Sequence, residues 1–404
     1  MTKTSALLVN HHPYPHFRRR GRSLLPLDDV DFHLVTRNRA FGGTDGVDAD
    51  ALASVTVCAA RDEEQWRTAC SWALRARPIE RIVAVHERSV LLAAELRSRF
   101  GLPGMDVDTA LRFRDKVRMK EAVRAAGAAR VPDFAALDGP GDLDAVDWRT
   151  GPKVIKIRDG LAAQGVHIVP TRQDAERLCA TLDLGGGRYE IEEFVHGPIY
   201  HCDSVVQDGR IRFAGVGRYL ADPASYASGG TFGTVMVLDG SLRERIRALN
   251  TRVLAALGLR DGTTHLELFH TPDDELVFCE VAGRPPGGII PPVIEWQYGF
   301  NIVEASVRLQ CGLDPGPGAG DGDPGRGVCG FIAFYPHDRG ARAVDPRRFT
   351  EWGIVEHLGS HPDIGGSGDT VRHSVDFRDS YVLRAPDETT LLRRVDDIRT
   401  EYLG

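Results

Sequence analysis

The sequence lacks any apolar run long enough to cross a lipid bilayer, which takes about 20 consecutive apolar residues. Its first residues, MTKTSALLVN, lack a signal-peptide pattern, and Leu7-Leu8-Val9 read better as a first strand. The seven cysteines are scattered, with no CxxC spacing, which argues against a disulfide framework or a structural zinc site. These absences predict a cytoplasmic protein that does not enter a membrane.

The chain also lacks an excess of basic residues, since 50 Lys and Arg stand against 57 Asp and Glu, a net charge of −7. Such a chain has no general attraction to nucleic acid or to an anionic membrane. Its 404 residues, 42% hydrophobic and 26% charged, are typical of an ordinary globular protein with two or three domains. A homodimer is a reasonable expectation for an enzyme of this size.

No internal repeat is found, and the only low-complexity stretch is GLDPGPGAGDGDPGRG, residues 312–327, which predicts a flexible loop. Residues 1–112 alternate short apolar strands with helical patterns, as in a doubly wound parallel sheet. We therefore expect an α/β and α+β multidomain protein. The predicted divisions are a doubly wound domain (1–112), a central core (113–312) with a mobile lid at about 150–198, a Gly/Pro loop (313–327) and a small α+β lobe (328–404).

The most informative segment is HLELFHTPDDELVFCEVAGR, residues 265–284, in which two alternating arms flank Asp273-Asp274. Aspartate tolerates the positive φ of a two-residue hairpin turn, so the segment predicts a β-hairpin. That turn fixes which residues face each other across the two strands. The predicted pairs are Glu267 with Glu280, Phe269 with Phe278, and His265 with Ala282, all on one face.

The paired Glu267 and Glu280 indicate a cation site. Directly opposed residues have Cβ atoms about 5 Å apart, and two carboxylates that close repel each other unless a cation lies between them. Mg²⁺ takes one or two carboxylates plus substrate phosphates. The alternative is a solvent-facing strand edge where two glutamates happen to meet.

A second segment, PKVIKIRDGLAAQGV (152–166), places Lys156 at the end of an apolar strand, before a loop that contains Gly160 and Gly165. Small residues let backbone N–H groups approach a phosphate closely, and a lysine beside them suits phosphate binding. The GxxxxGK[ST] order of a Walker A loop is absent. Taken alone, a surface hairpin explains the segment equally well.

The order of motifs along nearly the whole chain resembles the ATP-grasp superfamily, specifically its carboxylate–amine ligase branch with a biotin-carboxylase-like layout. In chain order the motifs are RDKVRMK (114–120), VPDF (131–134), PKVIKIRDGLAAQGV (152–166), EIEEFVHG (190–197), HLELF (265–269) and EVAGRPPGG (280–288).

The resemblance implies ATP and Mg²⁺ as cofactors, with Mn²⁺ as a substitute. Lys116 and Lys156 would bind the α- and β-phosphates, and the loop 159–166, with Gly160 and Gly165, would close over the γ-phosphate. Adenine would lie at a hinge made by Glu192, Glu193, Phe194 and Val195, mainly through the backbone of Glu193 and Val195.

The resemblance also implies the metal and substrate groups. Glu267 and Glu280 would hold Mg²⁺, as the hairpin predicts independently. Arg284 and Lys156 would be the catalytic residues. Arg284, together with Gly287 and Gly288, would face the carboxylate substrate and its acyl phosphate. Asp203 and His265 are further substrate-site candidates, although a packed histidine is the commoner role for His265.

Three positions depart from the family pattern. Ala282 replaces a frequent asparagine ligand two residues after the second metal glutamate, and Ile199 follows the hinge where a ribose-binding Glu is common. Ala163-Gln164 replace a serine of the glycine loop. None of these changes removes a charge that the phosphate chemistry needs.

The implied activity is amide formation from a small-molecule carboxylate and an amine, one of them an amino acid, through an acyl phosphate. One rival is a carboxylase or phosphotransferase built on the same ATP site. The other is a catalytically silent ATP-binding module. Retention of both lysines and both metal glutamates argues against the silent module.

Three further segments invite a functional interpretation. The run HHPYPH (11–16) resembles a metal site, but its prolines prevent helical pairing of the histidines and no carboxylate or cysteine accompanies them. We expect a loop at the carboxyl end of the first strand, where doubly wound sheets face ligands. The run FRRRGR (17–22) suits an anionic substrate, although such runs are usually solvated. The segment YASGGTFGT (226–234) could line the acceptor pocket or be a strand and loop.

Overall fold

The structure is a computed structural model that describes residues 3–37, 51–59, 62–223, 231–316, 327–335, 343–359 and 376–403. The strands are β1 (Thr4–Asn10), β2 (Arg18–Arg19), β3 (Arg22–Ser23), β4 (Val30–Arg37), β5 (Ser54–Cys58), β6 (Arg81–Val83), β7 (Phe134–Leu137), β8 (Lys153–Ile157), β9 (His167–Val169), β10 (Tyr189–Glu193), β11 (Ile199–Gln207), β12 (Arg210–Tyr219), β13 (Thr231–Val237), β14 (Gly262–His270), β15 (Leu276–Ala282), β16 (Val328–Phe334), β17 (Ile354–Leu358) and β18 (Asp379–Ala385). The α-helices are α1 (Glu63–Ala76), α2 (Glu87–Phe100), α3 (Val107–Arg114), α4 (Lys116–Ala125), α5 (Arg172–Cys179), α6 (Ser241–Leu257), α7 (Ile290–Tyr298), α8 (Ile302–Gln310), α9 (Phe349–Trp352) and α10 (Glu388–Leu403).

The N-terminal part is a parallel sheet in the order β5-β4-β1-β6, as the strand–helix alternation predicted. Leu7, Leu8 and Val9 of β1 are completely buried because the strand is central and both of its faces are covered. The chain moves from β1 to β4 and β5 on one side, and then crosses to β6 on the other. The topological switch point of the sheet therefore lies between β1 and β6.

An eight-stranded antiparallel sheet forms the centre, in the order β15-β14-β11-β12-β13-β16-β18-β17. Its last three strands come from the C-terminal segment, so that segment extends the central sheet. The run FRRRGR lies against this region and is not simply solvated: Arg19 pairs with Glu295 and Glu356, and Arg20 stacks over Trp296.

A smaller sheet, β7-β10-β8-β9, carries the Lys156 segment and the hinge strand. The helix predicted from residue 114 is interrupted at Asp115, whose side chain caps α4 by accepting hydrogen bonds from the N–H groups of Val117 and Arg118. Lys116 is thus the first residue of a helix. Gly127 (φ +58°) follows the end of α4, as the sequence indicated.

Candidate active site

A cavity of about 300 Å³ lies between the small sheet and the central sheet. Most residues predicted from the sequence line this one cavity. They are Lys116, Lys156, Gly160, Glu192, Glu193, Phe194, Val195, His265, Glu267, Glu280, Arg284, Gly287 and Gly288. Two predicted residues do not line it. Gly165 (φ +71°) packs against Ile157, and Asp203 lies buried behind His265.

Lys116 joins the residues predicted to bind phosphates to those predicted to hold Mg²⁺. Its Nζ lies 3.1 Å from Glu280 Oε2 and donates to the Gly160 carbonyl at 3.1 Å. Because Lys116 begins α4, its side chain reaches from that helix to the glycine loop and to the end of β15. The ammonium group of Lys116, the carboxylate of Glu280 and the loop that contains Gly160 therefore meet at one point.

Lys156 belongs to a buried network of two lysines and two glutamates. Its Nζ lies 2.5 Å from Glu192 Oε1, and Lys120 Nζ lies 2.5 Å from Glu192 Oε2 and 2.7 Å from Glu190 Oε1. Burial alone would raise the pKa of Glu192, but the charges of Lys120 and Lys156 lower it to about 2. The pKa of Lys156, which burial would lower, is held well above its usual value by Glu192.

Sequence reasoning missed Lys120 and Glu190, although both left a signal. Lys120 is four residues after Lys116, on the same face of α4. Glu190 lies two residues before Glu192 on β10 and directly opposite Lys156 on β8. A strand carrying two glutamates on the face of a buried lysine indicates an ion-pair network.

The hairpin of β14 and β15 has the predicted pairing at the end that carries Glu267 and Glu280. Glu267 lies opposite Glu280 and His265 opposite Ala282. The prediction for Phe269 was wrong, because a register shift after Glu267 places it opposite Val277.

The predicted turn was also wrong. Thr271 N–H donates to the Glu275 carbonyl at 2.9 Å, and Asp274 adopts φ +61°, so the loop contains three residues, 272–274. Cys279 is the extra residue of the bulge. The loop has one residue more than predicted, and β15 has one extra residue at the bulge. These two differences offset each other, so that Glu267 and Glu280 are paired as predicted.

Glu267 is held by neighbouring side chains. Tyr219 donates its hydroxyl hydrogen to Glu267 Oε1 at 2.7 Å, and His265 Nε2 lies 3.3 Å from the same oxygen. Burial would raise the pKa of Glu267, but the hydrogen bond and charge of His265 lower it to about 2. The carboxylate is therefore ionised and oriented at neutral pH.

Asp203 supports this arrangement from inside the sheet. Its two oxygens lie 2.6 Å from His265 Nδ1 and 2.7 Å from His201 Nδ1. Burial would raise the pKa of Asp203, but the two histidines lower it to about 2, while the Asp203 charge overcomes burial and raises the pKa of His265 to about 9. His201 is fixed in turn by Thr234, with 2.8 Å between Nε2 and Oγ1. A Cβ at Gly217 would lie 2.2 Å from His201 Nε2.

His201, Asp203 and His265 bring three metal-ligand atoms within 4.8 Å of one another. Their N···O separations of 2.6 and 2.7 Å are hydrogen-bond lengths. Ligands at about 2.0–2.1 Å from a zinc ion in tetrahedral geometry stand more than 3 Å apart. This triad is a hydrogen-bond network. The oxygens of Glu267 and Glu280, which face the cavity, are the donor set that Mg²⁺ prefers.

Arg284 is oriented by a residue that the sequence did not single out. Its Nε donates to Glu87 Oε2 at 2.6 Å, and Arg114 Nη1 donates to Glu87 Oε1 at 2.5 Å. Burial would raise the pKa of Glu87, but the charges of Arg114 and Arg284 lower it to about 2. The guanidinium group of Arg284 therefore lies in the cavity wall, and Glu87 of the N-terminal part fixes its position.

The loop 159–166 and the segment predicted as the hinge each have a distinctive backbone feature. Ala162 (φ +53°) and Ala163 (φ +57°) both adopt the left-handed region in the loop, which is costly for residues with a Cβ and recurs at functional sites. At the hinge, Phe194 N–H donates to the Pro152 carbonyl. Within the described residues no backbone partner accepts from Val195 N–H, which suits a contact with a base.

Known proteins resemble this chain at two levels. A curated relative, the "L-arginine-specific L-amino acid ligase" of Bacillus subtilis, is 28% identical over 252 residues, which cover 60% of this chain and 60% of that protein. The chain thus spans about 60% of the length of the curated relative it matches. No family model matches the chain.

Two solved structures share its architecture. The L-amino acid ligase of Bacillus licheniformis has a TM-score of 0.73 at 16% identity, covering 99% of this chain and 98% of that one. The biotin carboxylase domain of the Hydrogenobacter thermophilus 2-oxoglutarate carboxylase, solved with MgADP and bicarbonate, has a TM-score of 0.67 at 15% identity, covering 98% and 90%. These likenesses confirm the ATP-grasp fold that the order of motifs predicted.

Proposed function

We propose that this protein is an ATP-dependent carboxylate–amine ligase that forms an amide bond through an acyl phosphate and releases ADP and phosphate. The observation that carries the proposal is the meeting of Lys116 with Glu280 in the cavity that also holds Lys156, Glu267 and Arg284. Phosphoryl transfer depends mainly on positioning and on neutralising charge, and these residues supply both. The names of the ligase relatives from two Bacillus species support the same reaction class.

The nucleotide would lie between the two sheets. Lys116 and Lys156 would bind the phosphates, the loop 159–166 would cover them, and the hinge at Glu193 and Val195 would hold adenine. Bound Mg²⁺, for which Mn²⁺ could substitute, would neutralise charge on the phosphates, and Glu267 and Glu280 would hold it. The MgADP in the solved carboxylase neighbour supports this choice of cofactor.

The reaction would proceed in two balanced steps. A carboxylate oxygen of the acid attacks the γ-phosphorus while the bond to the β-phosphate oxygen breaks, giving ADP and an acyl phosphate. The amine nitrogen then attacks the acyl carbon, loses a proton, and displaces inorganic phosphate. Arg284, fixed by Glu87, would bind the carboxylate and its acyl phosphate, and the closed loop would exclude water that hydrolyses the intermediate.

One substrate would be an amino acid, as in the named ligases. A homodimer and the predicted domain divisions stay part of the proposal. A cytoplasmic location is supported by the cysteines, since all seven are free thiols in the structure. Among the described residues, no helix combines the length and the apolar character needed to cross a membrane.

The test uses purified protein with ATP and Mg²⁺, a panel of small acids and amino acids, and hydroxylamine as a trapping amine. We expect ADP release that depends on an acid, together with an acyl hydroxamate. A folded protein that binds ATP but releases no ADP with any acid–amine pair would contradict the proposal. Phosphate transferred to bicarbonate, a sugar or an enol would assign the site to a carboxylase or a phosphotransferase.

A further inference from the structure

The start of the loop 159–166 is fastened to the turn between α3 and α4. Arg114 Nη2 donates to the Asp159 carbonyl at 2.7 Å, and the backbone N–H of Lys116 donates to the Arg158 carbonyl at 3.1 Å. These bonds cross from the helices to the end of β8, where the chain enters the loop. The direction in which the loop leaves the small sheet is therefore set by residues outside that sheet.

The later part of the loop has no such attachment. Among the described residues, no hydrogen bond joins residues 161–166 to α3 or α4. The N–H of Gln164 donates to the Leu161 carbonyl at 3.1 Å, inside the loop, and both residues line the cavity. This part of the loop faces the space proposed for the phosphates, so its placement depends on how the start of the loop is held.

Arg114 connects the start of the loop to the residue proposed to bind the acid. Its other terminal nitrogen, Nη1, donates to Glu87 Oε1 at 2.5 Å, and Glu87 Oε2 accepts from Arg284 Nε at 2.6 Å. Three hydrogen bonds thus run in series from Arg284 through Glu87 and Arg114 to the Asp159 carbonyl. They link the loop to the wall of the cavity that carries Arg284.

The shape of the arginine side chain suits this bridge. A guanidinium group is planar and presents its nitrogens in fixed directions, so one group can hold two acceptors at once, whereas lysine has a single nitrogen. Arg114 uses one terminal nitrogen for each acceptor. Its side chain is only 12% exposed and lines the cavity from the last position of α3. Little of it is open to water, which could otherwise replace either partner.

We propose that Arg114 is a positioning residue for the reaction: by bridging Glu87 and the Asp159 carbonyl, it ties the placement of the loop 159–166 to that of Arg284. The roles of the loop and of Arg284 rest on the proposed function, whereas the bridge itself rests on geometry. The loop would then cover the phosphates in the arrangement in which Arg284 is in place for the acid. An acyl phosphate is lost to water unless the loop excludes it, so the bridge protects the intermediate.

Two variants and a matched control test the bridge. Arg114→Lys keeps a positive charge beside Glu87 but has one nitrogen in place of the fork, and Arg114→Met removes both contacts. The control is Arg112→Lys, since Arg112 lies on the same helix and donates to the Leu257 carbonyl at 3.2 Å, outside the cavity.

The first measurement is hydrogen exchange of the free protein, followed by mass spectrometry, which needs no turnover. We expect the amides of residues 160–166 to exchange at least threefold faster in Arg114→Lys and Arg114→Met than in the wild type, with no change in the control. The amides of β8 should keep their wild-type rates, which excludes a general loss of stability. Wild-type loop exchange in either Arg114 variant, or an equal acceleration in β8, would overturn the proposal.

The link to Arg284 is tested by Glu87→Gln. The two guanidinium groups use different oxygens of Glu87, and the glutamine side chain has only one oxygen. We expect the loop to exchange faster in this variant as well, although Arg114 is intact. Wild-type loop exchange in Glu87→Gln would overturn the link from the loop to Arg284.

Product yields supply the readout for the reaction. With ATP, Mg²⁺, hydroxylamine and the acid of the panel that gives the most ADP, we expect the acyl hydroxamate formed per ADP to fall at least threefold in Arg114→Lys, because water reaches the intermediate. The ratio should stay at the wild-type level in Arg112→Lys. A loss of folded protein lowers both products equally, so an unchanged ratio in Arg114→Lys would overturn the positioning role. Faster loop exchange in the variants, together with no hydroxamate in the wild type, would reject the ligase reaction while leaving the bridge in place.

Discussion

Glu87 and Arg284, 197 residues apart in the chain, are joined by an ion pair of 2.6 Å between Oε2 and Nε. This contact links the start of α2 in the N-terminal sheet to the loop that follows the metal hairpin. Arg284 is the residue proposed to bind the substrate carboxylate. Its orientation therefore depends on Glu87, a residue outside the motifs that predict ATP binding.

The first prediction concerns acid stability. The folded-state pKa of Glu87 is lowered from 4.5 to about 2, so its contribution is present above pH 4.5 and is lost as the pH falls toward 2. At 1.36 kcal/mol per pKa unit this amounts to about 3 kcal/mol. We expect Glu87→Gln to lower the free energy of unfolding by about this amount at pH 7, and by less at pH 3.5, as measured by urea unfolding.

The control for this prediction is Glu304→Gln, which removes an exposed pair with Arg22. It should cost less than about 1 kcal/mol at either pH. An equal loss in the two variants would show that Glu87 is not a buried structural anion.

The second prediction concerns the metal carboxylates. Glu280→Gln should lower ATP turnover by roughly 100-fold or more, because Glu280 is proposed to hold the Mg²⁺ that would neutralise phosphate charge. Glu275→Gln, in the exposed part of the same hairpin, should turn over ATP at the normal rate. The test is acid-dependent ADP release over a range of Mg²⁺ concentrations. Normal activity of Glu280→Gln would remove the metal assignment.

The third prediction separates two buried lysines. Lys120→Met would remove the hydrogen-bond donor to Glu190 and Glu192 in the core and leave Glu190 with only Lys156, 3.7 Å away, so we expect a loss of about 3–5 kcal/mol in stability. Lys156→Met should in addition weaken ATP binding, because Lys156 lines the cavity. Unfolding curves with and without ATP distinguish the two: stabilisation by ATP should persist in the first variant and shrink in the second. Equal stabilisation by ATP in both would refute a phosphate role for Lys156.

The sequence allowed the pairing of Glu267 with Glu280 to be predicted because side chains alternate along a strand, so residues 265, 267, 280 and 282 had to share one face if they paired. It could not reveal the bulge at Cys279 or the three-residue loop, since both depend on how the hairpin packs. Phe278 is fully buried in the core, whereas Phe269 lines the cavity.

Long-range partners were beyond prediction for a different reason. The hydrogen bonds of Glu87 with Arg284 and of Asp203 with His265 form only when elements distant in the sequence pack together. Motif order identified the fold and most cavity residues, because the family resemblance implies that those residues bind the nucleotide directly. The residues that orient them carry no such local pattern.

The fourth prediction concerns the acid substrate. Beyond Glu267 the cavity wall is aromatic: Tyr219 and Phe232 have ring centroids 5.0 Å apart, and Phe331 and Phe377 also line the wall. We expect higher kcat/KM for acids with apolar side chains than for arginine or glutamate, because charged side chains would lose hydration there. Acyl hydroxamate formation across the panel measures this preference.

A matched pair of variants locates that preference. Phe232→Leu should raise the KM of apolar acids severalfold. Phe213→Leu, which changes a core phenylalanine packed on Tyr298 and Phe300, should leave it within twofold. A stronger effect from Phe213→Leu, or a preference for arginine, would contradict this placement of the acid.

The acyl phosphate itself can be tested by following oxygen. With an acid labelled by ¹⁸O in both carboxylate oxygens, ATP, Mg²⁺ and an amine, one labelled oxygen should appear in each phosphate released alongside ADP. Unlabelled phosphate, or AMP and pyrophosphate in place of ADP and phosphate, would contradict the account.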